Sequence, residues 1–120
     1  MPELAGTRVL LIEDEGMVAI LIEDMLEDLG CELVASVASM AKAAEVARVA
    51  ALDLAVLDIN IGGQLTFPLA DILVERQIPF IFSTGYGEAG LPPHLRDRPV
   101  IKKPFRIAEL RNAALRALAA

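Results

Sequence analysis

The sequence predicts a doubly wound α/β fold, in which helices cover both faces of a parallel β-sheet. Short apolar runs rich in branched residues recur along the 120 residues, and segments with apolar residues at helical spacing separate them. Strands that alternate with helices favour parallel pairing, because two parallel neighbours need a crossover connection. Four of the apolar runs end directly in acidic, hydroxyl or lysine residues, which is where α/β folds bind ligands.

The elements follow one another without internal repeats, low-complexity tracts or linkers, so we predict one domain over residues 1–120. The predicted strands lie at 8–12, 32–37, 54–57, 79–83 and 100–102. The predicted helices lie at 17–29, 40–51, 67–76 and 107–118. Gly30 ends the first helix, and Thr66 is the expected N-cap of the third. Five strands in so short a chain fit the flavodoxin-like order 2-1-3-4-5 better than a six-stranded dinucleotide fold.

A further helix is expected between the fourth and fifth strands, but the composition of that segment opposes one. Between Thr84 and Val100 lie six helix-breaking residues, namely Gly85, Gly87, Gly90, Pro92, Pro93 and Pro99. Glycine costs conformational entropy in a helix, and proline removes a backbone donor and clashes with the preceding turn. We therefore predict that the fourth helix is short, irregular or mobile.

Composition and charge exclude several classes of protein. Hydrophobic residues make up 55% of the chain and charged residues 23%, which excludes intrinsic disorder. A formal net charge of −6 argues against a nucleic-acid surface, which needs clustered lysine and arginine. The sequence has neither an apolar run long enough to span a membrane nor a signal peptide. With Cys31 as its single cysteine, the protein is expected to be cytoplasmic and without disulfides.

Polar residues at the strand ends form the main functional signal. The first strand runs into Glu13 and Asp14 and the third into Asp58, while the fourth and fifth run into Thr84 and Lys103. The carboxyl ends of parallel strands share one edge of the sheet, so residues far apart in sequence meet there. Three carboxylates on one edge repel each other unless a cation joins them. All-oxygen ligands without nearby histidine or cysteine favour magnesium over zinc.

An aspartate beside magnesium, a hydroxyl and an ammonium group suits in-line phosphoryl transfer, in which the protein mainly positions groups and neutralises charge. We predict that Asp58 is the nucleophile and forms an aspartyl phosphate. Lys103 is predicted to place its charge against the phosphoryl oxygens, and the Thr84 hydroxyl to donate a hydrogen bond to them. Each residue alone has an ordinary explanation as a helix cap, a turn residue or a solvated charge. Together, at one sheet edge, they indicate phosphoryl chemistry.

Two enzyme classes share part of this pattern. Residues 85–90 match the glycine spacing of a dinucleotide site, but Leu91, Pro92 and Pro93 block the helix that such a site needs. A haloacid-dehalogenase-like phosphatase also places an aspartate at a strand end, but it needs a second acid where this chain has Asn60. We therefore predict a phosphoacceptor switch rather than an enzyme, with phosphotransfer to itself and weak self-dephosphorylation as its only reactions.

Four motifs stand at the strand ends: Ile12-Glu13-Asp14, Leu57-Asp58-Ile59-Asn60, Ser83-Thr84-Gly85 and Lys103-Pro104-Phe105. They resemble the receiver (CheY-like) domains of bacterial response regulators over nearly the whole chain. The resemblance implies a magnesium site with these ligands: Asp14, Asp58, the backbone carbonyl of Asn60 and, through water, Glu13. It also implies a cis peptide bond before Pro104, and a sensor histidine kinase as the phosphoryl donor in a two-component phosphorelay.

Two features narrow the resemblance. Residues 82–86, Phe-Ser-Thr-Gly-Tyr, resemble the FAT GUY motif of a receiver subfamily that is linked to HWE-type histidine kinases and often has a poorly formed fourth helix. Val100 departs from the main family, which carries Tyr or Phe three positions before the conserved lysine as a switch residue. We therefore hypothesise that Tyr86 transmits the signal by moving with a flexible loop. The alternative is that Tyr86 only packs on the surface.

The output of such a switch is open at this point. The chain ends soon after its last predicted helix, so no output domain is expected in it unless it is a piece of a longer protein. Output is then a contact with a downstream protein, or drainage of phosphate from a shared kinase. The main alternative is an adaptor that keeps the receiver fold without cycling, and the complete set of site residues argues against it.

Overall fold

In a computed structural model, which describes residues 3–85 and 90–119, one parallel sheet forms the centre of the molecule. Its strands are β1 (Arg8–Ile12), β2 (Glu32–Val37), β3 (Leu54–Asp58), β6 (Phe80–Thr84) and β7 (Val100–Lys102). Two short strands, β4 (Asn60–Ile61) and β5 (Gln64–Leu65), pair in a separate antiparallel hairpin. The sheet order is β2-β1-β3-β6-β7. This confirms the predicted order 2-1-3-4-5, since the hairpin strands do not join the sheet.

Helices cover both faces of the sheet, as predicted. They are α1 (Gly16–Asp28), α2 (Met40–Val49), α3 (Phe67–Glu75) and α4 (Ile107–Ala119).

Alternate residues of β3 enter two cores, because side chains of a strand point to opposite faces. Ala55 and Leu57 pack with α2 and α3, whereas Leu54 and Val56 pack with α1 and α4. Among the described helices, none is both long and apolar enough to cross a membrane.

The described residues before β7, at 90–99, form no α-helix, in agreement with the prediction made from the glycines and prolines of this segment. Of the described residues between β6 and β7, only Pro93–Leu95 are helical, and they form a single 3-10 turn. Leu95 is fully buried and anchors this turn to the core on the α2 and α3 side. The turn is also tied to α3, since His94 Nε2 lies 2.8 Å from Asp71 Oδ1.

The hairpin between β3 and α3 is an element that the sequence analysis missed. Gly62 and Gly63 form its turn with φ angles of 57° and 84°, in the left-handed region that glycine adopts without strain. The pair of positive φ angles is typical of a type I′ turn between two short strands. The hairpin lies at the carboxyl edge of the sheet, directly after Asp58.

Candidate functional site

The carboxyl ends of β1 and β3 bring three acidic residues together. Glu13, Asp14 and Asp58 each place one carboxylate oxygen so that all three oxygens lie within 4.8 Å of one another. Glu13 and Asp58 are buried, with 2% and 8% of their surface exposed, whereas Asp14 faces solvent. The predicted meeting of these residues is confirmed, and topology is the reason, because β1 and β3 are parallel neighbours in the sheet.

Lys103 joins the acidic cluster from the end of β7. Its Nζ donates hydrogen bonds to Asp58 Oδ2 at 2.9 Å and to Glu13 Oε1 at 3.1 Å. Its backbone N–H donates to the carbonyl of Thr84 at 2.7 Å, which fixes the chain as it leaves the sheet. The peptide bond between Lys103 and Pro104 is cis, as the resemblance implied. The bond to Glu13 was not foreseen, since the sequence analysis assigned Lys103 to the phosphoryl group alone.

Burial and charge shift the ionisation of this cluster. Burial raises the pKa of Glu13, and the bonds from the Glu15 amide and Lys103 oppose that rise without cancelling it. Burial alone would lower the pKa of Lys103, but its hydrogen bonds to Asp58 and Glu13 outweigh that effect and raise the pKa. Lys103 therefore stays charged at neutral pH. One ammonium group faces three carboxyl groups, so the site can carry a net negative charge.

Thr84 and Asn60 line the same cleft as the acidic cluster and Lys103. The cleft has a volume of about 770 Å³. Thr84 ends β6 and is 5% exposed, and Gly85 beside it lines the cleft, with open space where a side chain would begin. The structure therefore brings all the predicted site residues within its described part to one place. Tyr86, the proposed switch residue, lies outside the described residues.

The hairpin holds two of the site residues through backbone amides. The Gly62 N–H donates to Asp14 Oδ2 at 2.8 Å, and the Asn60 N–H points to Asp58 Oδ1 at a long 3.5 Å. The Asn60 side chain faces its own hairpin, because its Oδ1 accepts from the Gly63 N–H at 3.0 Å. The Gly-Gly pair between two short runs was the signal that could have revealed this element.

Thr66 lies at the base of the hairpin and is fully buried. It occupies the N-cap position of α3, as predicted, but its side chain makes no capping hydrogen bond. The hydroxyl donates instead to the carbonyl of Asp58 at 2.5 Å, and the carbonyl oxygen of Ile59 lies 3.2 Å away. The predicted N-cap position is therefore confirmed, but the side-chain bond typical of a cap is replaced, because buried carbonyls of the loop compete for the same hydroxyl.

The chain is similar to a known protein family over most of its length. Residues 9–115 match the family model of the response regulator receiver domain. The chain belongs to this family. The acidic pocket of Glu13, Asp14 and Asp58 fits the phosphoacceptor site of such a domain.

Several relatives resemble this receiver domain. SdrG from Sphingomonas melonis Fr1 has a solution structure that is 38% identical, with a TM-score of 0.84 over 96% of this chain and 98% of SdrG. A crystal structure of a mutant of the anti-anti-sigma factor PhyR from Bartonella quintana is 28% identical, with a TM-score of 0.83 over 98% of this chain and 50% of PhyR. The transcriptional regulatory protein PdtaR of Mycobacterium tuberculosis is 27% identical over 107 residues, which are 86% of this chain and 52% of PdtaR. The chain thus spans about half the length of PdtaR and PhyR.

The donor set of this receiver domain fits a hard divalent cation. The three converging carboxylate oxygens are the ligand type that magnesium prefers, and magnesium keeps several waters when one or two carboxylates bind it. Asp14 is the exposed member and offers its second oxygen, because Oδ2 accepts from Gly62. Asp58 is more buried. Its Oδ2 accepts a hydrogen bond from Lys103, and its Oδ1 lies near the Asn60 amide. Glu13 is held by Lys103 and the Glu15 amide, which suits the indirect role that the resemblance implied.

One wall of the cleft is apolar and continues onto an exposed surface. Val18, Leu21, Ile22 and Met25 of α1 line the cleft on one side. The outer face of α1 exposes large apolar side chains, those of Met17, Ile20 and Leu21, and Leu65 of the hairpin is also exposed. Exposed apolar residues in a cluster mark surfaces that contact other molecules. The apolar residues of α1 predicted a helix through their spacing, but this surface was not predicted.

Proposed function

We propose that this receiver domain takes a phosphoryl group from a sensor histidine kinase onto Asp58, in a magnesium-dependent reaction. The observation that carries the proposal is the 2.9 Å hydrogen bond from Lys103 Nζ to Asp58 Oδ2 inside the carboxylate cluster. This contact places a fixed positive charge beside the nucleophile, where the phosphoryl oxygens arrive. Phosphoryl transfer depends mainly on such positioning and charge neutralisation.

The residues divide the reaction among them. A carboxylate oxygen of Asp58 attacks the phosphorus of a phosphohistidine, and the P–N bond breaks as the new P–O bond forms. The leaving imidazole nitrogen keeps the electron pair of that bond and takes up a proton from solvent. Lys103 pairs with the phosphoryl oxygens, and the Thr84 hydroxyl donates to them at the end of β6. Asp14, Asp58 and the Asn60 carbonyl would hold magnesium, which would neutralise the charge that carboxylates and phosphoryl oxygens bring together.

The product state differs from the ground state by charge. A phosphoryl group adds about one further negative charge and three acceptor oxygens to Asp58. Thr84 and Lys103 are then drawn towards the new group, and the segment after Thr84 rearranges. Slow attack by water, admitted past Gly85, resets the switch. The role of Tyr86 in this rearrangement and the cytoplasmic location stay predictions.

Two features support a protein partner on each side of the switch. The apolar side chains on α1 border the cleft, so a kinase that presents a phosphohistidine to Asp58 covers them.

The similarity to SdrG and PhyR is compatible with the FAT GUY subfamily and with an HWE-type kinase. PhyR is an anti-anti-sigma factor, which favours output by a protein contact over drainage of phosphate from the kinase. A pull-down with the phosphorylated protein distinguishes these two outputs.

Treatment with phosphoramidate and magnesium tests the proposal directly. The wild type is expected to gain the mass of one phosphoryl group, and Asp58→Ala to gain none. Asp24→Ala, which removes an exposed carboxylate of α1, serves as the matched control and keeps the gain. A wild type without any gain would instead support the adaptor that does not cycle, and a gain that persists in Asp58→Ala would place the phosphoryl group elsewhere.

A further inference from the structure

Thr66 is a fully buried residue whose hydroxyl and backbone N–H both bond to the phosphoacceptor loop, while its carbonyl accepts from the Leu69 and Ala70 amides of α3. Its hydroxyl donates to the Asp58 carbonyl at 2.5 Å and lies 3.2 Å from the Ile59 carbonyl. Its backbone N–H donates to the same Ile59 carbonyl at 2.8 Å. The side chain contributes no cap to α3, although it occupies the N-cap position. Its polar contacts therefore close the base of the hairpin that begins two residues after Asp58.

The two carbonyls that Thr66 holds belong to the peptide groups on either side of Ile59. The second of these groups carries the Asn60 N–H at its other end, and that N–H points to Asp58 Oδ1. A peptide group is planar, so fixing its carbonyl also fixes its N–H. Thr66 consequently holds both peptide groups. Its hydroxyl holds mainly the one that follows Asp58, and its backbone N–H, with the hydroxyl 3.2 Å away, holds the one that faces the Asp58 carboxylate.

The tip of the same hairpin reaches the other acidic ligand candidate. Gly62 donates its N–H to Asp14 Oδ2 at 2.8 Å, across 48 positions of sequence. The hairpin is thus anchored at its base by Thr66 and contacts Asp14 at its turn, so it spans both sides of the proposed metal site. Hydrogen bonds that orient metal ligands from behind typically change metal affinity when they are lost.

We propose that Thr66 is a positioning residue of the phosphoacceptor site, which locks the hairpin so that Asp58, the Asn60 carbonyl and Asp14 are held ready for magnesium. This inference rests on the proposed function for its biological meaning, but the magnesium affinity that it concerns can be measured without phosphoryl transfer. The hydroxyl is the part of the side chain that acts. The methyl group only fills space.

Calorimetric titration with magnesium chloride tests the proposal on a set of matched variants. Thr66→Val keeps the shape of the side chain and removes the hydroxyl, and we expect it to weaken magnesium binding roughly tenfold. Thr66→Ser keeps the hydroxyl, and its affinity is expected to lie within about threefold of the wild type. Thr7→Val makes the same chemical change just before β1, at the opposite edge of the sheet, and should leave the affinity unchanged.

A purely structural role predicts a different result. In that case Thr66→Val lowers the free energy of unfolding in urea while the magnesium affinity of the folded protein stays that of the wild type, and this result would overturn the proposal. If Thr66→Val does not fold, Thr66→Ser and Thr66→Ala decide the matter. Both lack the γ-methyl group of threonine, and only the serine variant keeps the hydroxyl. Equal magnesium affinities in that pair would also overturn it.

The failure of this inference and the failure of the proposed function are distinguishable. If phosphoramidate labels the wild type on Asp58 and Thr66→Val binds magnesium normally, the phosphoacceptor function stands and the positioning role falls. If Thr66→Val weakens magnesium binding but the wild type gains no phosphoryl group, the positioning role stands and the phosphoacceptor function falls.

Discussion

At the scale of single residues, the ammonium group of Lys103 lies between two carboxylates that the fold removes from water. The side chains of Glu13 and Asp58 are 1% and 11% exposed, and that of Lys103 is 18% exposed. A buried ion pair contributes little net stability by itself, but removal of one partner leaves an uncompensated charge. Lys103 is therefore expected to matter for stability as well as for chemistry.

Lys103→Met is expected to lower the free energy of unfolding by about 1–3 kcal/mol in magnesium-free buffer, a range set below that of fully buried pairs because Lys103 is partly exposed. Lys102→Met is the matched control, since it removes the same charge from the exposed neighbouring position and should change stability by less than about 0.5 kcal/mol. Urea unfolding measures both. Equal losses in the two variants would show that Lys103 does not hold the buried carboxylates.

The pair of Arg8 and Asp53 gives a prediction with a defined pH dependence. The Asp53 carboxylate accepts three hydrogen bonds from Arg8, at 2.9, 3.0 and 2.9 Å, which hold its pKa below the ordinary value of 3.8. A group with a depressed pKa in the folded state stabilises the fold above its ordinary pKa, and this stabilisation is lost as the pH falls through the folded value. The pair is more than one-third exposed, so solvent screens it strongly.

Asp53→Asn is thus expected to lower the free energy of unfolding by about 0.5 kcal/mol at pH 7. The difference from the wild type should stay constant down to about pH 4 and shrink below it, as the wild-type carboxylate takes up its proton. Urea titrations between pH 7 and pH 3 measure this difference. Asp24→Asn controls for the loss of one surface charge. If the difference grew as the pH fell, the Asp53 carboxylate would not stabilise the folded state in its charged form.

At the scale of elements, α1 presents two different faces. Ala19, Ile22 and Leu26 are buried against the sheet. Ile20 and Leu21 are 57% and 54% exposed, and Leu21 also lines the cleft. An apolar side chain at the centre of a protein contact often contributes more than 1 kcal/mol of binding free energy. The outer face of α1 is therefore a candidate surface for the kinase that delivers the phosphoryl group.

Ile20→Gln is expected to slow phosphotransfer roughly tenfold from any histidine kinase that phosphorylates the wild type, which corresponds to about 1.4 kcal/mol. Phosphorylation by phosphoramidate should change by less than about twofold, because that small donor needs no protein contact and the fold is intact. Val49→Gln is the control, since Val49 is 78% exposed at the end of α2. Equal slowing with both donors would place the effect in the site rather than in docking.

The hairpin shows where sequence patterns fail at this scale. Strands of the central sheet were predicted because each is an apolar run long enough to show its pattern, and β1 matches its predicted bounds. Strands β4 and β5 have two residues each, which is too short for any periodicity. Thr66 before a proline-containing helix start is typical of an N-cap, and only the folded loop reveals the carbonyls that take its hydroxyl instead.

At the scale of the whole molecule, the site could be predicted because topology creates it. Parallel strands place their carboxyl ends on one edge, so polar residues after four apolar runs had to meet there. The individual contacts could not be predicted in the same way. The bond between Lys103 and Glu13 joins residues 90 positions apart, and it depends on side-chain packing that strand order does not fix.

Magnesium is expected to stabilise the whole domain, because the acidic cluster forms only in the folded state. At about ten times its Kd, a ligand that binds only the folded protein adds about 1.4 kcal/mol. For a chain of this size, this corresponds to a rise in the thermal midpoint of roughly 4–8 °C. Asp14→Asn removes a carboxylate from the cluster and should abolish the rise, while Asp24→Asn should keep it. Sodium chloride at equal ionic strength controls for screening of the net charge of −6, which also stabilises an acidic protein. An equal rise in sodium chloride, or an undiminished one in Asp14→Asn, would mean that the cluster does not bind the ion.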